Sequence, residues 1–325
     1  MAAPTADPVA RELAWQQARR AAETAGPPLL WIAIAAFGVW AAVAHTDPFV
    51  TGVIVGSILA LGALGLTFIY GVLKFAHFAH GDAMMLAAYL VFFLLTGRVV
   101  GTRAGDAALP WSLEDLPGAT TAVWDFSFGY GLILSIPLAA VLTAGLLLAL
   151  DRAVYRPLRG RRARPIILAI ASLAIAIALR SVVLGLWGPT GRSYTSEIRP
   201  TVQIPYGPRV VTDQLFILAA TVVLVALVYL VLYRTRTGKA MRATADNAEL
   251  ARVSGIDTEA VVRWTWALSG LLIAVAGTLL ALQSQLKPEL GFTLLLPLFA
   301  ATIVGGLGSP QGALAGGLIV GVVQE

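Results

Sequence analysis

Residues 130–150 read YGLILSIPLAAVLTAGLLLAL, without a single charged side chain. At 1.5 Å of rise per residue, a helix of that length covers about 30 Å, the hydrocarbon thickness of a bilayer. Similar runs recur to either side at Leu29–Ala44, Val50–Leu73, Ala83–Leu95, Ile166–Leu186, Gln214–Tyr233 and Thr265–Gln283. Only Arg180 interrupts them with a charge. A final uncharged stretch, Leu290–Val323, is too long for one helix and breaks at GGLGSPQG, residues 305–312. Of the 325 residues, 58% are apolar and 13% charged, whereas an ordinary soluble domain is about 25% charged. No water-soluble core hides that much apolar surface, so the fold class is all-α, a polytopic transmembrane helix bundle. Leu29–Ala44 also has a second reading as the core of a signal peptide, since Ala42-Val43-Ala44 is a small-residue cleavage pattern.

Loop charges give the orientation. With the N-terminus in the cytoplasm, inside segments hold sixteen of the 23 Lys and Arg, twelve of them in 151–164 and 234–263. Outside loops hold six: Arg98, Arg103, Arg192, Arg199, Arg209 and Lys287. That imbalance places the N-terminus inside. It also accounts for the net charge of +5 without invoking nucleic acid as a partner. With no cysteine and three histidines, disulfides, thiolate chemistry and cysteine-ligated metals are excluded, and no metal site is expected.

Three polar segments interrupt this pattern. Residues 236–263 lie outside the membrane as short helices: Gly238–Thr244 favours helix, Asp246 with Glu249 forms a capping box, Gly255 ends the second helix, and Asp257 caps the next. Such a unit suits insertion into a groove on another protein, or is a plain loop with surface helices. Residues 65–82, GLTFIYGVLKFAHFAHGD, end an apolar helix in a polar knot. There Gly81 relaxes the backbone, Asp82 can cap the following helix, and His80 offers a donor and an acceptor. The knot is a pathway element or a tight hairpin at the cytoplasmic surface. The Gly-Pro break at 305–312, between two short apolar segments, is a discontinuous helix lining a translocation site or a helix-packing seam. Arg180, toward the outer end of its span, reads first as a snorkelling side chain and second as a substrate-facing cation.

The first segment resembles the coupling loop of permease subunits of ATP-binding-cassette importers, specifically the branched-chain amino-acid permease family. The family pattern G-[KR]-A-x-R-A…A-x-x-x-G-I is matched by Gly238, Lys239, Ala240, Arg242, Ala243, Ala251, Gly255 and Ile256. Met241 and Leu250 complete the expected docking unit. The family's N-F-A-H-G-[DE] is similar to Phe78, Ala79, His80, Gly81 and Asp82, with His77 where the family usually has Asn. Its GG-[IL]-GS-x-x-GA is matched by Gly305, Gly306, Leu307, Gly308, Ser309, Gly312 and Ala313.

The resemblance spans about Phe49 to Glu325 and leaves 1–47 as a leader with an extra span. The family usually continues with one more apolar helix, so the C-terminal helix is expected to be missing. What the resemblance implies is an inner-membrane permease for branched-chain or related amino acids. Its partners would be cytoplasmic ATPase subunits, a second permease subunit and an extracytoplasmic solute-binding protein. The chain has no phosphate-binding loop of the Gly-x-x-x-x-Gly-Lys-Ser/Thr type, so ATP and Mg would be used by those partners and no cofactor bound here. Alternatives are an importer for urea, short amides or sugars, and an ion-coupled secondary transporter. The last needs a deep ionisable relay, and the central portions of the spans read as free of Asp and Glu.

Overall fold

The computed structural model describes residues 36, 38–99, 107–108, 110–195, 201–203 and 209–325. They belong to two compact units, Met1–Val50 and Thr51–Glu325. In the first, residues 38–44 are helical; half of the expected span Leu29–Ala44 lies outside the described residues.

Long helices α1 (Thr46–Leu73), α3 (Tyr130–Leu150), α5 (Pro165–Trp187), α6 (Thr212–Arg234) and α9 (Thr258–Gln283) correspond to five of the uncharged runs. Each is long and apolar enough to cross a membrane. Shorter apolar helices are α2 (His80–Thr96), α10 (Leu290–Gly305) and α11 (Pro310–Gln324). On one face lie α4 (Arg156–Gly160), α7 (Arg236–Asp246) and α8 (Ala248–Val253). Among the described residues, sheet is limited to two hairpins, β1 (Arg98–Val99) with β2 (Ala107–Ala108) and β3 (Thr201–Gln203) with β4 (Arg209–Val211).

Burial divides the long helices. The most apolar windows of α1 and α9 are 89% and 78% buried, those of α3, α5 and α6 only 22–39%. A helix apolar all round and open on most of its surface requires an apolar solvent, so the multi-pass membrane reading stands on packing as well as composition. Lipid gives helices no hydrophobic reason to associate, so close association comes from small residues. A Cβ added at Gly317 would collide with the Ala60 backbone, and one at Gly321 with the Gly56 backbone. A Cβ at Gly270 would meet Ala144 on α3, and one at Gly277 the Met84 backbone on α2. Between α10 and α11, Gly305 meets Gly312 and Gly316 meets Ala301.

Two boundaries differ from the sequence reading. The segment 151–164 is not a plain loop: α3 continues through a wide turn at Asp151–Tyr155 into α4. The turn is held by buried Asp151, which Arg159 grips at 2.6 and 3.3 Å. The cap of α8 is Asn247, whose side chain accepts from Glu249 and Leu250 N–H at 3.1 and 2.9 Å. Asp246, expected there, is instead the last residue of α7. Asp257 caps α9 as read, accepting from Ala260 N–H at 3.0 Å.

Candidate functional site

The chain leaves α1 at Lys74, in a left-handed conformation (φ 57°). By His80 it is helical again, and the His80 Nε2 lies 2.8 Å from the Gly62 carbonyl oxygen. Gly62 precedes the end of α1 by three turns, about 16 Å along its axis. Residues 74–79 therefore climb back beside α1 to the depth of Gly62, within the ~3.3 Å per residue an extended chain can reach. This is a re-entrant break inside the bundle, not a tight hairpin at the surface.

Non-helical backbone at membrane depth persists only where protein satisfies it. Phe78 N–H donates to the Ser172 hydroxyl of α5 at 2.9 Å. His80 N–H donates to the His77 carbonyl at 3.2 Å. Phe75 and His77 are buried. The His77 Nε2 is 3.1 Å from the Tyr155 hydroxyl, and Tyr155 stacks on Trp266 at 5.1 Å. The wide turn after α3 thus delivers Tyr155 to the break, a placement common for such turns at functional sites.

Asp82 is buried in the first turn of α2. It does not cap that helix as expected, because its carboxylate is taken by Arg180. Arg180 Nε donates to Oδ1 at 2.9 Å, and its Nη2 to Oδ1 and Oδ2 at 2.8 and 3.0 Å. The guanidinium stacks over Phe292 of α10 at 5.0 Å. A Cβ at Gly81 would strike the Gly291 carbonyl, so α2 and α10 touch backbone to backbone beside the pair. Arg180 is fifteen residues past Pro165, the first residue of α5, about 22 Å along that helix. The snorkelling expectation is corrected: the side chain turns inward to a carboxylate. The central portions of the spans carry no Asp or Glu, as read; Asp82, just before the expected span Ala83–Leu95, stands in the first turn of α2 as a paired charge.

The other expected site residues gather elsewhere. Gly306 and Gly308 (φ 91° and 86°) form the turn between α10 and α11, and Ser309 caps α11 by accepting from Gly312 N–H at 3.1 Å. Gly308 lies against Gly71 near the end of α1. A cleft of about 280 Å³ there is lined by Gly71, Gly308 and Pro310 together with Met241, Arg242 and Ala245 of α7. So the structure brings the 305–309 segment to the surface loop, and Phe78, His80, Gly81 and Asp82 to a separate, deeper place. Lys74 Nζ joins the two by donating to the Ala245 carbonyl at 2.8 Å.

Within the surface loop the side chains sort by exposure. Gly238, Met241 and Ala251 are buried. Arg242 lies over the Tyr233 ring at 4.6 Å. Lys239 is exposed, and Ala243 and Ile256 are half-buried. Leu250 and Val253 are apolar and 63% and 86% exposed. Sequence reasoning missed Lys74, Ser172, Tyr155 and Trp266. The Arg180–Asp82 pair could have been found: opposite charges embedded in apolar spans seek each other.

A polytopic bundle with a satisfied re-entrant break, tied at its base to a helical surface loop, defines a membrane permease. The chain belongs to the family described as branched-chain amino acid transport system / permease component, which matches residues 49–325. It is 28% identical over 291 residues to the high-affinity branched-chain amino acid transport system permease protein BraD of Pseudomonas aeruginosa, covering 86% of this chain and 85% of that one. It is 32% identical over 283 residues to the probable branched-chain amino acid transport permease protein LivH of Methanocaldococcus jannaschii, covering 84% and 78%. A shorter match, 34% over 108 residues, is to the fructose import permease protein FrcC of Rhizobium meliloti, covering 31% and 30%. No solved structure matches the chain.

Proposed function

We propose that this chain is the membrane-spanning permease subunit of an ATP-driven importer for branched-chain or related amino acids. It lies in the inner membrane with the basic loops in the cytoplasm. Cytoplasmic ATPase subunits dock on the surface loop, a second permease subunit completes the pathway, and an extracytoplasmic solute-binding protein delivers the substrate. ATP and Mg are bound by the ATPases.

The observation that carries this reading is the family match over 49–325, and the loop geometry supplies a mechanism consistent with it. Leu250 and Val253 offer an apolar knob at the exposed end of α8, the size of feature a groove on a partner accepts. Movement of α7 is felt at Lys74 through its bond to Ala245, and Lys74 begins the re-entrant break. Nucleotide-driven closure of the ATPases would thus displace the break while the glycine-packed α1–α11 seam moves as a unit. Amino acids are preferred over sugars because the amino-acid permeases align over most of the chain and the fructose permease over 31%.

The test is co-purification from membranes in mild detergent followed by uptake in proteoliposomes. Wild-type chain brings down ATPase subunits and supports ATP-dependent leucine uptake. Gly255→Arg is one probe, but Gly255 has φ 86°, so any side chain there strains the turn. Leu250→Asp with Val253→Asp avoids that strain and is expected to cut ATPase recovery about tenfold while the chain still inserts. Intact ATPase recovery with both aspartates in place would move the docking surface elsewhere.

A further inference from the structure

From the geometry of Arg180 and Asp82 we infer a transit site for the zwitterionic head of an α-amino acid, a reading that rests on the amino-acid function proposed above. Charges this deep persist only when paired. Yet this pair is open on one side: the Asp82 side chain is 2% exposed and the Arg180 side chain 27%. Arg180 Nη1 has no hydrogen-bond partner among the described residues, while Nε and Nη2 are both engaged. An ion pair kept for stability alone gains nothing from such an opening, since a well-packed apolar replacement is commonly as stable.

The free donor and the carboxylate match the two charges of an amino-acid head. Its carboxylate is received by Arg180 Nη1 in a charge-assisted hydrogen bond. Its ammonium is received by Asp82 Oδ2, which accepts only one bond, at 3.0 Å, and which at 2% exposure is uncovered only as Arg180 turns to the incoming carboxylate. When the site is empty the two residues neutralise each other, so it waits without an uncompensated charge. When filled, one ion pair is exchanged for two, which holds the substrate loosely enough to leave. Phe292 and Leu296, 61% and 80% exposed on the same helix, supply apolar surface for a branched side chain.

The test uses the whole importer in proteoliposomes with leucine as probe. Asp82→Asn with Arg180→Gln removes both charges while nearly keeping shape. The double variant is expected to assemble and to hydrolyse ATP in response to leucine-loaded binding protein, with leucine uptake down about tenfold or more, the worth of one charge-assisted hydrogen bond. The sequence has no cysteine, so Phe292→Cys gives a single reporter. A water-soluble methanethiosulfonate should label it, and leucine, but not leucinamide, should slow the labelling several-fold. Wild-type uptake in the double variant, its failure to assemble, or a Phe292→Cys that resists aqueous reagent each overturns the transit site. If the wild-type importer itself carries no leucine, the amino-acid reading fails and the transit site falls with it.

Discussion

At Gly238 an added Cβ would run into the Val231 and Leu232 carbonyls, because α7 folds back tightly over the end of α6. The glycine stands in the motif to permit a turn, and the Thr235 hydroxyl fixes that turn by accepting from Gly238 N–H at 3.0 Å. Gly238→Ala should therefore loosen the loop by about 1–3 kcal/mol, visible as faster proteolysis within 235–257 and lower ATPase recovery. Unchanged proteolysis would mean that the turn accommodates a methyl group. Ser172 makes the opposite case, since nothing in the sequence marks it. A serine in an apolar helix ordinarily bonds its own helix, and Ser172 does donate to Ala169 O at 2.7 Å. Its second task, accepting the Phe78 N–H, belongs to a partner 94 residues away. Ser172→Ala leaves that buried donor unmet and is expected to cost about 1–3 kcal/mol, read as a lower unfolding temperature in detergent. Equal unfolding temperatures would mean that the break finds another acceptor.

The helices themselves were legible because a bilayer imposes length and apolarity on each span separately. What joins them was not, because each joint depends on a pair distant in sequence. Lys74 reaches Ala245 across 171 positions, and Ser269 reaches the Gly65 carbonyl across 204. The wide turn at Asp151–Tyr155 likewise left no periodic signature, as it consists of ordinary helical residues with one extra in the circuit. Of the expected path residues, the motif spacing located Phe78, His80, Gly81 and Asp82, but not their depth, which follows only from the His80–Gly62 contact. The Lys74 joint makes a prediction at this scale. Lys74→Met keeps the aliphatic stem and removes the donor to Ala245, so ATPase subunits should still bind and hydrolyse ATP while leucine uptake falls. Uptake that keeps pace with hydrolysis would place the mechanical link on another contact, the Gly71–Gly308 approach being the nearest.

Across the whole chain, polar groups and charges divide between the two faces and the path. Sixteen of 23 cations belong to one set of loops, and the structure adds that three of them, Arg152, Arg156 and Arg159, ride on a helical extension of α3. The opposite face is closed by short contacts instead. Ser127 N–H donates to Asp213 at 2.9 Å, Trp187 Nε1 to the Arg98 carbonyl at 3.1 Å, and Arg192 pairs with Leu286. The translocation machinery inserts chains so that short loops rich in Lys and Arg stay in the cytoplasm, and the orientation proposed above follows that rule. It is measurable with single cysteines in a chain that has none of its own. Arg161→Cys, in the exposed turn after α4, should react with a membrane-impermeant maleimide only after the membrane is opened. Trp124→Cys, 86% exposed on the other face, should react in intact spheroplasts. The reverse pattern would put the surface loop 236–257 outside, beyond reach of any cytoplasmic ATPase, and would remove the basis for ATP-driven import whatever the loop's sequence resembles.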